Sequence, residues 1–334
     1  MTENNRAVYS SFPVYSNCVI CPRKCAVDRQ RKIGLCGESS ELRLAFAGIH
    51  KGEEPPITGK GGSGTIFVSG CNLRCVFCQN RQISQDGIGR PVSADEFSKI
   101  TLELQKQGAE NINIVTGTHQ SLLLIDYIKE AKRQGLHLPV LWNSSAYESI
   151  ETIKQLDTVI DMYLPDLKTL DSSIATQFFH AEDYPGVAST AILQMIHSSK
   201  PVIIRHLALP GYLPATYEVL KWYKQYCDGK AQLSLMTQYT PVHIAGNLTT
   251  NDTNGASPHT NWPDTYLSTS EYDVLIRWLE ELGIDDGYCQ ELVTGSDWLP
   301  DFRKPNPFSS ELSKPVWHYN TGSIFTTNDT NRHE

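Results

Sequence analysis

The placement of cysteine constrains this chain more than any other feature. Nine cysteines stand at positions 18, 21, 25, 36, 71, 75, 78, 227 and 289, so seven of them fall within the first 78 of 334 residues. A disulfide framework belongs to small secreted domains. This chain is long, and its opening MTENNRAVYSSFPVYSN is polar with no hydrophobic signal core. Tight clusters in such a context read as metal or iron–sulfur ligands, and a cytoplasmic location is expected. No run approaches the roughly 18 apolar residues of a membrane span, so no membrane partner is expected. An apolar fraction of 40% and a charged fraction of 20% are ordinary globular usage and exclude collagen, a coiled coil or a mostly disordered chain. With 29 Lys+Arg against 37 Asp+Glu the net charge is −8, which argues against nucleic acid as a partner.

The chain divides on pattern into a Cys-rich segment at 1–64, a strand–helix region at 65–245, and a polar loop, last helix and tail at 246–334. Residues 1–17 read as a loose leader, and the tail after about 318 reads as disordered. β-rich runs appear at TIFVS (65–69), INIV (112–115), PVLWN (139–143), VIDMYL (159–164), PVIIRHL (201–207) and AQLSLM (231–236). Helices are expected between them. One is capped by Ser93 with Glu96 three residues on, and another follows Ser145 with Glu148 three on, the capping-box spacing. Others are expected at about 121–134, 172–180, 216–227 and 270–282. Strand followed by helix, repeated, argues for a parallel sheet. The expected fold is α/β, a partial (β/α)6 TIM-like barrel with a small N-terminal Cys-rich extension; an open doubly wound sheet is the alternative. Three Asn-x-Thr sequons, at Asn247, Asn251 and Asn328, read as loop chemistry in a chain without a signal peptide.

GCNLRCVFCQN (70–80) gives Cys71-x3-Cys75-x2-Cys78 directly after the first of those strands, at the face where barrel enzymes build active sites. Three thiolates this close can hold one [4Fe–4S] cube, which usually takes four Cys ligands. A missing fourth ligand leaves one iron open. Phe77, between two ligands, is placed to shield it. The competing reading is a zinc site, but structural zinc wants four ligands and the fourth is not local. Cys18, Cys21, Cys25 and Cys36 supply four thiols before the barrel, enough for tetrahedral zinc or a closed second [4Fe–4S] cluster. Arg23, Lys24, Arg29, Arg31 and Lys32 would offset thiolate charge there, or present a basic face to an acidic electron carrier. Cys227 and Cys289 read as core packing, as do Trp142, Trp278 and Trp298.

CNLRCVFC resembles the signature of radical S-adenosylmethionine (SAM) enzymes. GSGTIFVSGCNLRCVFCQNRQIS, NINIVTGTH, DMYLPDLK and IIRHLALPG resemble the pyruvate formate-lyase activating enzyme-like branch, across most of residues 18–300. The resemblance implies that the open iron binds the amino and carboxylate groups of SAM, and that reductive cleavage gives a 5′-deoxyadenosyl radical for hydrogen abstraction. It implies a low-potential electron donor such as flavodoxin or ferredoxin, and a protein substrate, plausibly a glycyl-radical enzyme. Modification of another protein, peptide or small molecule is the alternative, and a non-catalytic iron–sulfur protein the third reading.

The resemblance also implies SAM contacts at the strand ends. Thr116 and Thr118 stand where many relatives carry a Gly-Gly-Glu turn, and this chain departs from that pattern. His119 is either a ligand-side donor or a cap. Asn143 and Ser144 match an Asp-Thr-Asn string of the activases with the acid replaced, which leaves a cation site near SAM in doubt; Ser145 reads as an N-cap. Asp166 and Lys168 match the activases' D-x-K string and share one face of an extended chain. Arg205 is expected to point into the barrel mouth, and His206 the other way. Gln238 and Tyr239 are expected to close the pocket.

Overall fold

The computed structural model describes residues 13–242, 262–296, 298–309 and 311–325. The three sequons and most of the 246–266 loop lie outside the described residues. In chain order the elements are β1 (Arg43–His50), α1 (Pro55–Thr58), β2 (Ser63–Val68), α2 (Arg81–Ser84), β3 (Arg90–Pro91), α3 (Ala94–Lys106), β4 (Ile112–Val115), α4 (Ser121–Arg133), β5 (Val140–Ser144) and α5 (Ile150–Leu156). They continue with β6 (Met162–Pro165), α6 (Ser172–Phe179), α7 (Tyr184–His197), β7 (Ile203–Leu207), α8 (Leu213–Tyr226), β8 (Gln232–Met236), α9 (Thr269–Glu281), β9 (Gly287–Cys289) and β10 (Ser313–His318).

All six β-rich runs of the sequence are strands. β2, β4, β5 and β6 pair in parallel, and so do β7, β8 and β9. The two groups are joined by the parallel bridges Tyr163↔Val202 and Asp166↔Arg205. Among the described residues no pairing returns from β9 to β2, so the architecture is a partial TIM-like barrel rather than a closed one. The period-2 alternation of the strands sends Ile66, Ile114, Trp142, Tyr163 and Ile204 outward into the core under the helices. It sends Leu141, Leu164 and Ile203 to the other face, where they meet Ile57 of α1.

Several expectations are corrected. The sheet has a seventh parallel strand, β9, and an antiparallel flank in which β1 lies between β2 and β10. β1 and β10 thus share a sheet with β2, and β9 shares a second sheet with β8. Helix α7 was not anticipated. Ser93 does cap α3 by accepting from the Glu96 amide, but the Glu96 carboxylate turns to Arg90 and the Trp317 indole instead of completing the box. Ser145 and Glu148 do not open a helix, since α5 begins at Ile150 with Ser149 as its cap. Tyr15 of the expected loose leader is fully buried, and its carbonyl accepts from the Arg29 amide at 2.7 Å. Residues 319–325 are tied back through Tyr319 N–H to the Ala45 carbonyl and Phe325 N–H to the Val316 carbonyl. Cys227 is buried as expected, whereas Cys289 is exposed.

Two segments bear on the lumen. At the end where β2 starts, residues 53–58 form a plug: Ile57 packs on Leu141, Leu164 and Ile203, and its carbonyl accepts from Asn111 Nδ2 at 2.7 Å. Near the other end, Phe302 and Phe308 pack on Phe46 and Phe67, and Gln82 bonds Asp301 and the Phe302 amide. The C-terminal segment thereby braces α2, which follows directly on Cys78. Truncating the plug removes a fully buried side chain from the foot of the barrel. Ile57→Ala is expected to lower unfolding stability by about 2–5 kcal/mol, read as a fall in the urea midpoint without a change in slope.

Candidate active site

The loop that follows β2 is shaped by glycine. Gly70 adopts φ +78°, and a Cβ there would stand 2.4 Å from the Glu38 side chain and 2.8 Å from the Cys36 carbonyl. Only glycine lets the chain turn this close to the N-terminal segment. The next amide, of Cys71, donates to that same Cys36 carbonyl at 3.1 Å. The loop is held on its other sides by Asn72 Nδ2 to the Tyr147 carbonyl at 2.7 Å, Arg23 Nε to the Asn72 carbonyl at 2.8 Å, the Val76 amide to the Phe178 carbonyl at 2.9 Å and Gln85 Nε2 to the Cys75 carbonyl at 3.0 Å.

This frame turns Cys71, Cys75 and Cys78 toward one another. All three are free thiols. Burial raises their pKa values, that of Cys75 to about 12, and the neighbouring thiols raise Cys71 further. The Lys168 ammonium acts on all three in the opposite sense. The Leu73 amide donates to Cys71 Sγ at 3.3 Å, and Cys78 Sγ lies 3.3 Å from Ser84 Oγ. Phe77 stands edge-on to Phe178, Phe179 and Tyr239 at 5.6–5.9 Å, an aromatic wall on one side of the thiols.

Lys168 and Asp166 form an ion pair of 2.6 Å beyond the end of β6, each about a quarter exposed. Both act electrostatically on Cys75, the Lys168 ammonium lowering and the Asp166 carboxylate raising its pKa. Asn143, half-buried at the end of β5, lies in the same ring of strand ends. Thr116 has φ +61°, unusual and strained for a β-branched residue, and its amide donates to the Asn143 carbonyl at 2.8 Å.

The remaining expected SAM contacts have their polar atoms committed elsewhere. Thr118 Oγ1 and Ser144 Oγ donate to the Glu148 carboxylate, at 2.9 and 3.1 Å, and the Trp142 indole donates to it at 2.5 Å. Sequence reasoning took Glu148 for a helix cap; it is a buried staple joining the ends of β4 and β5. His119 is neither a cap nor exposed: its Nε2 bonds the Ser69 carbonyl at 2.7 Å, and burial, then Arg29, hold its pKa down to about 3. It is a neutral donor fixing the approach to the loop. His206 points away from the lumen, between the Leu167 carbonyl and Thr216 Oγ1.

Arg205 does point inward, but toward the plug. Its Nε donates to Glu54 Oε1 at 2.8 Å, and its Nη2 pairs with both Glu53 and Glu54. Asn113 Nδ2 also reaches Glu53, at 3.2 Å. A buried Arg demanded a partner, yet that partner lies about 150 positions away, in GEEPP. The pair of acids before two prolines was the available signal.

The N-terminal cysteines also gather. Against the effect of its burial, the backbone at Leu35 and Val27 and then Cys18 lower the Cys25 pKa, and a Cβ on Gly34 would lie 3.2 Å from Cys36 Sγ and 3.6 Å from Cys25 Sγ. Arg29 is buried beside them and donates to the His119 and Ser39 carbonyls. Among the described residues, no three His, Cys, Asp or Glu converge tightly enough to hold a single metal ion. A four-iron cube makes no such demand, because each thiolate binds a different iron. Cys71, Cys75 and Cys78, half-buried, free of disulfides and all sulfur donors, fit a [4Fe–4S] group.

Comparison with known proteins agrees. Residues 65–222 match the Radical SAM superfamily. An uncharacterized protein of Methanocaldococcus jannaschii is 30% identical over 240 residues, 70% of this chain and 68% of that one. The chain belongs to the radical SAM superfamily, whose members carry a [4Fe–4S] cluster and use SAM. It is also similar to the pyruvate formate-lyase 1-activating enzyme of Escherichia coli, 21% identical over 165 residues, covering 47% of this chain and 65% of the enzyme. Among solved structures, Streptococcus suis SuiB bound to S-adenosylmethionine aligns at 13% identity over 66% of this chain and 48% of that one, with a TM-score of 0.48. The match thus spans just under two thirds of the activating enzyme and about half of SuiB.

The Arg205 cluster yields a pH signature. Burial alone would raise the Glu54 pKa, but the Arg205 charge and hydrogen bonds bring it below the ordinary 4.5. A carboxyl depressed in the folded state stabilises fully above its unfolded value and loses that contribution as pH falls through the folded one. Wild-type stability is therefore expected to drop below about pH 4.5. Arg205→Met should cost about 3–5 kcal/mol at pH 7 by leaving buried carboxylates unpaired. The gap between the two proteins should narrow on acidification, as followed by urea unfolding from pH 7 to pH 4.

Proposed function

We propose that this chain reductively cleaves SAM at the Cys71, Cys75 and Cys78 site and uses the resulting radical to take a hydrogen atom from a protein partner, the Cα hydrogen of a glycine. The observation that carries the reading is the set of three half-buried thiols directly after β2, within electrostatic reach of Lys168. Held by these three thiolates, a reduced cluster would supply one electron to the sulfonium, whose C–S bond would break to give methionine and a 5′-deoxyadenosyl radical. That radical gains the hydrogen to become 5′-deoxyadenosine and leaves the unpaired electron on the donor carbon.

The protein's part is to orient and to exclude water. Lys168 is suited to the SAM carboxylate and Asp166 to ribose hydroxyls or the amino group. Asn143 adds a neutral donor and acceptor, and the strained Thr116 turn offers backbone groups for the methionine end. Phe77 and its aromatic neighbours keep solvent from the thiols. Arg205 contributes through the plug, with its charge already balanced by Glu53 and Glu54. The similarity to activating enzymes supports a glycine as hydrogen donor. We further assign a second cluster site to Cys18, Cys21, Cys25 and Cys36, on the strength of their four gathered thiols.

Two measurements test this. Anaerobic protein reconstituted with iron and sulfide, then given dithionite and SAM, should form 5′-deoxyadenosine. Cys75→Ala should form none above background, while Cys25→Ala should keep this reaction and lose metal only from the N-terminal set, read by metal analysis and Mössbauer spectroscopy. With α-deuterated glycine in candidate glycyl-radical enzymes, label should appear in 5′-deoxyadenosine; its absence with every such partner would remove the glycine assignment.

A further inference from the structure

We propose that the outer shell of residues 18–36 is the docking face for an acidic protein carrying a low-potential one-electron cofactor, and so the port through which the cluster is reduced. This rests on the cluster chemistry proposed above, but the face is argued from separate observations. The first is apolar exposure. The large hydrophobic side chains exposed among the described residues are six, and three of them, Val19, Ile33 and Leu35, at 46, 64 and 56% exposure, belong to this one short segment. Singly exposed apolar residues need no explanation, whereas a concentration of them marks an interaction site.

The second is charge. Residues 18–36 hold five cations, Arg23, Lys24, Arg29, Arg31 and Lys32, against the single carboxylate of Asp28, in a chain whose net charge is −8. Arg29 is buried, and Arg23 is engaged by the Asn72, Phe179 and His180 carbonyls. Lys24, Arg31 and Lys32 are exposed. An apolar centre with a cationic rim complements an acidic protein surface and steers its approach.

The third is position. A Cβ built on Gly34 would stand 3.2 Å from Cys36 Sγ and 3.6 Å from Cys25 Sγ, and the chain neighbours of Gly34 are Ile33 and Leu35. Exposed Ile33 and Leu35 thus flank a residue that lies close to two of the four sulfurs. On the inner side, the Cys36 carbonyl takes the Cys71 amide, and Arg23 clamps the Asn72 carbonyl. One short span of backbone separates the outer shell from the loop of Cys71, Cys75 and Cys78. A partner seated here is held against the site that must be reduced and leaves the ring of strand ends free for the hydrogen donor. In the transfer, the carrier is oxidised by one electron and the cluster is reduced by one; no bond is made at the face.

The test uses the full, reconstituted chain and an oxidised flavodoxin as the acidic probe. Calorimetric binding should weaken about tenfold or more between low and 0.3 M salt, as expected when steering charges are screened. It should weaken about tenfold or more in Ile33→Glu/Leu35→Glu and, independently, in Lys24→Glu/Lys32→Glu. In both variants, 5′-deoxyadenosine formation driven by reduced flavodoxin should fall in step, while formation driven by dithionite stays at the wild-type rate. Wild-type binding in both variants, or equal loss of the dithionite-driven rate in both, would overturn the proposal. So would sedimentation showing that the face joins two copies of this chain, or co-sedimentation with vesicles of anionic lipid that both variants abolish while flavodoxin binding persists. Failure of the radical reading itself would appear differently, as no dithionite-driven product in wild type with flavodoxin binding still lost in the variants.

Discussion

Burying three cysteine sulfurs side by side disfavours the thiolate form that a metal needs. Desolvation raises the pKa values of Cys71, Cys75 and Cys78, and neighbouring thiols add to this at Cys71 and Cys75, so the sulfurs hold their protons until a bound positive centre stabilises the thiolates. Ligation by such thiols releases protons, and the binding energy becomes folding energy. The rest of the molecule is arranged to hold that unfavourable grouping. Gly70 permits the turn, Gln85, Asn72 and Arg23 hold it, and Lys168 supplies the one nearby ammonium acting on all three sulfurs.

Two buried polar assemblies give the frame its rigidity, and they work differently. Arg205 with Glu53 and Glu54 is ionic and ties β7 to the plug across the lumen. Such a group specifies geometry more than it adds stability, because desolvation offsets much of the attraction. Glu148 is held by three neutral donors. It joins the ends of β4 and β5, next to the left-handed Thr116 and Ala146. Strained residues persist where the surroundings over-determine them, and this staple is what over-determines these two.

Strand after strand of the barrel was legible because each is a short apolar run bounded by turn residues, and the signature loop because three cysteines at that spacing have few other uses. What escaped was set by distant or weak signals. β1 lies in a region read for its cysteines, and β9 has only three residues. The segment of α7, YPGVASTAILQMIH, carries Gly and several β-branched residues and shows little amphipathic contrast. Ser145 and Glu148 have capping-box spacing, but tertiary packing drew Glu148 inward to Trp142. The alternation that put Arg205 inward and His206 outward was sound. The partner of Arg205 was not, since nothing local in GEEPP says which strand it will meet.

The foot of the barrel is sealed by α1, with Ile57 wedged among the strand interiors and the Glu–Arg cluster above it. Among the described residues α1 thus closes this end of the lumen, and the ring of strand ends lies at the opposite end. On the reading proposed above, a small cosubstrate and a protein partner that both used the strand-end face would meet in a fixed order: the smaller guest is seated before the larger one covers it, and spent fragments leave after the larger one lifts away.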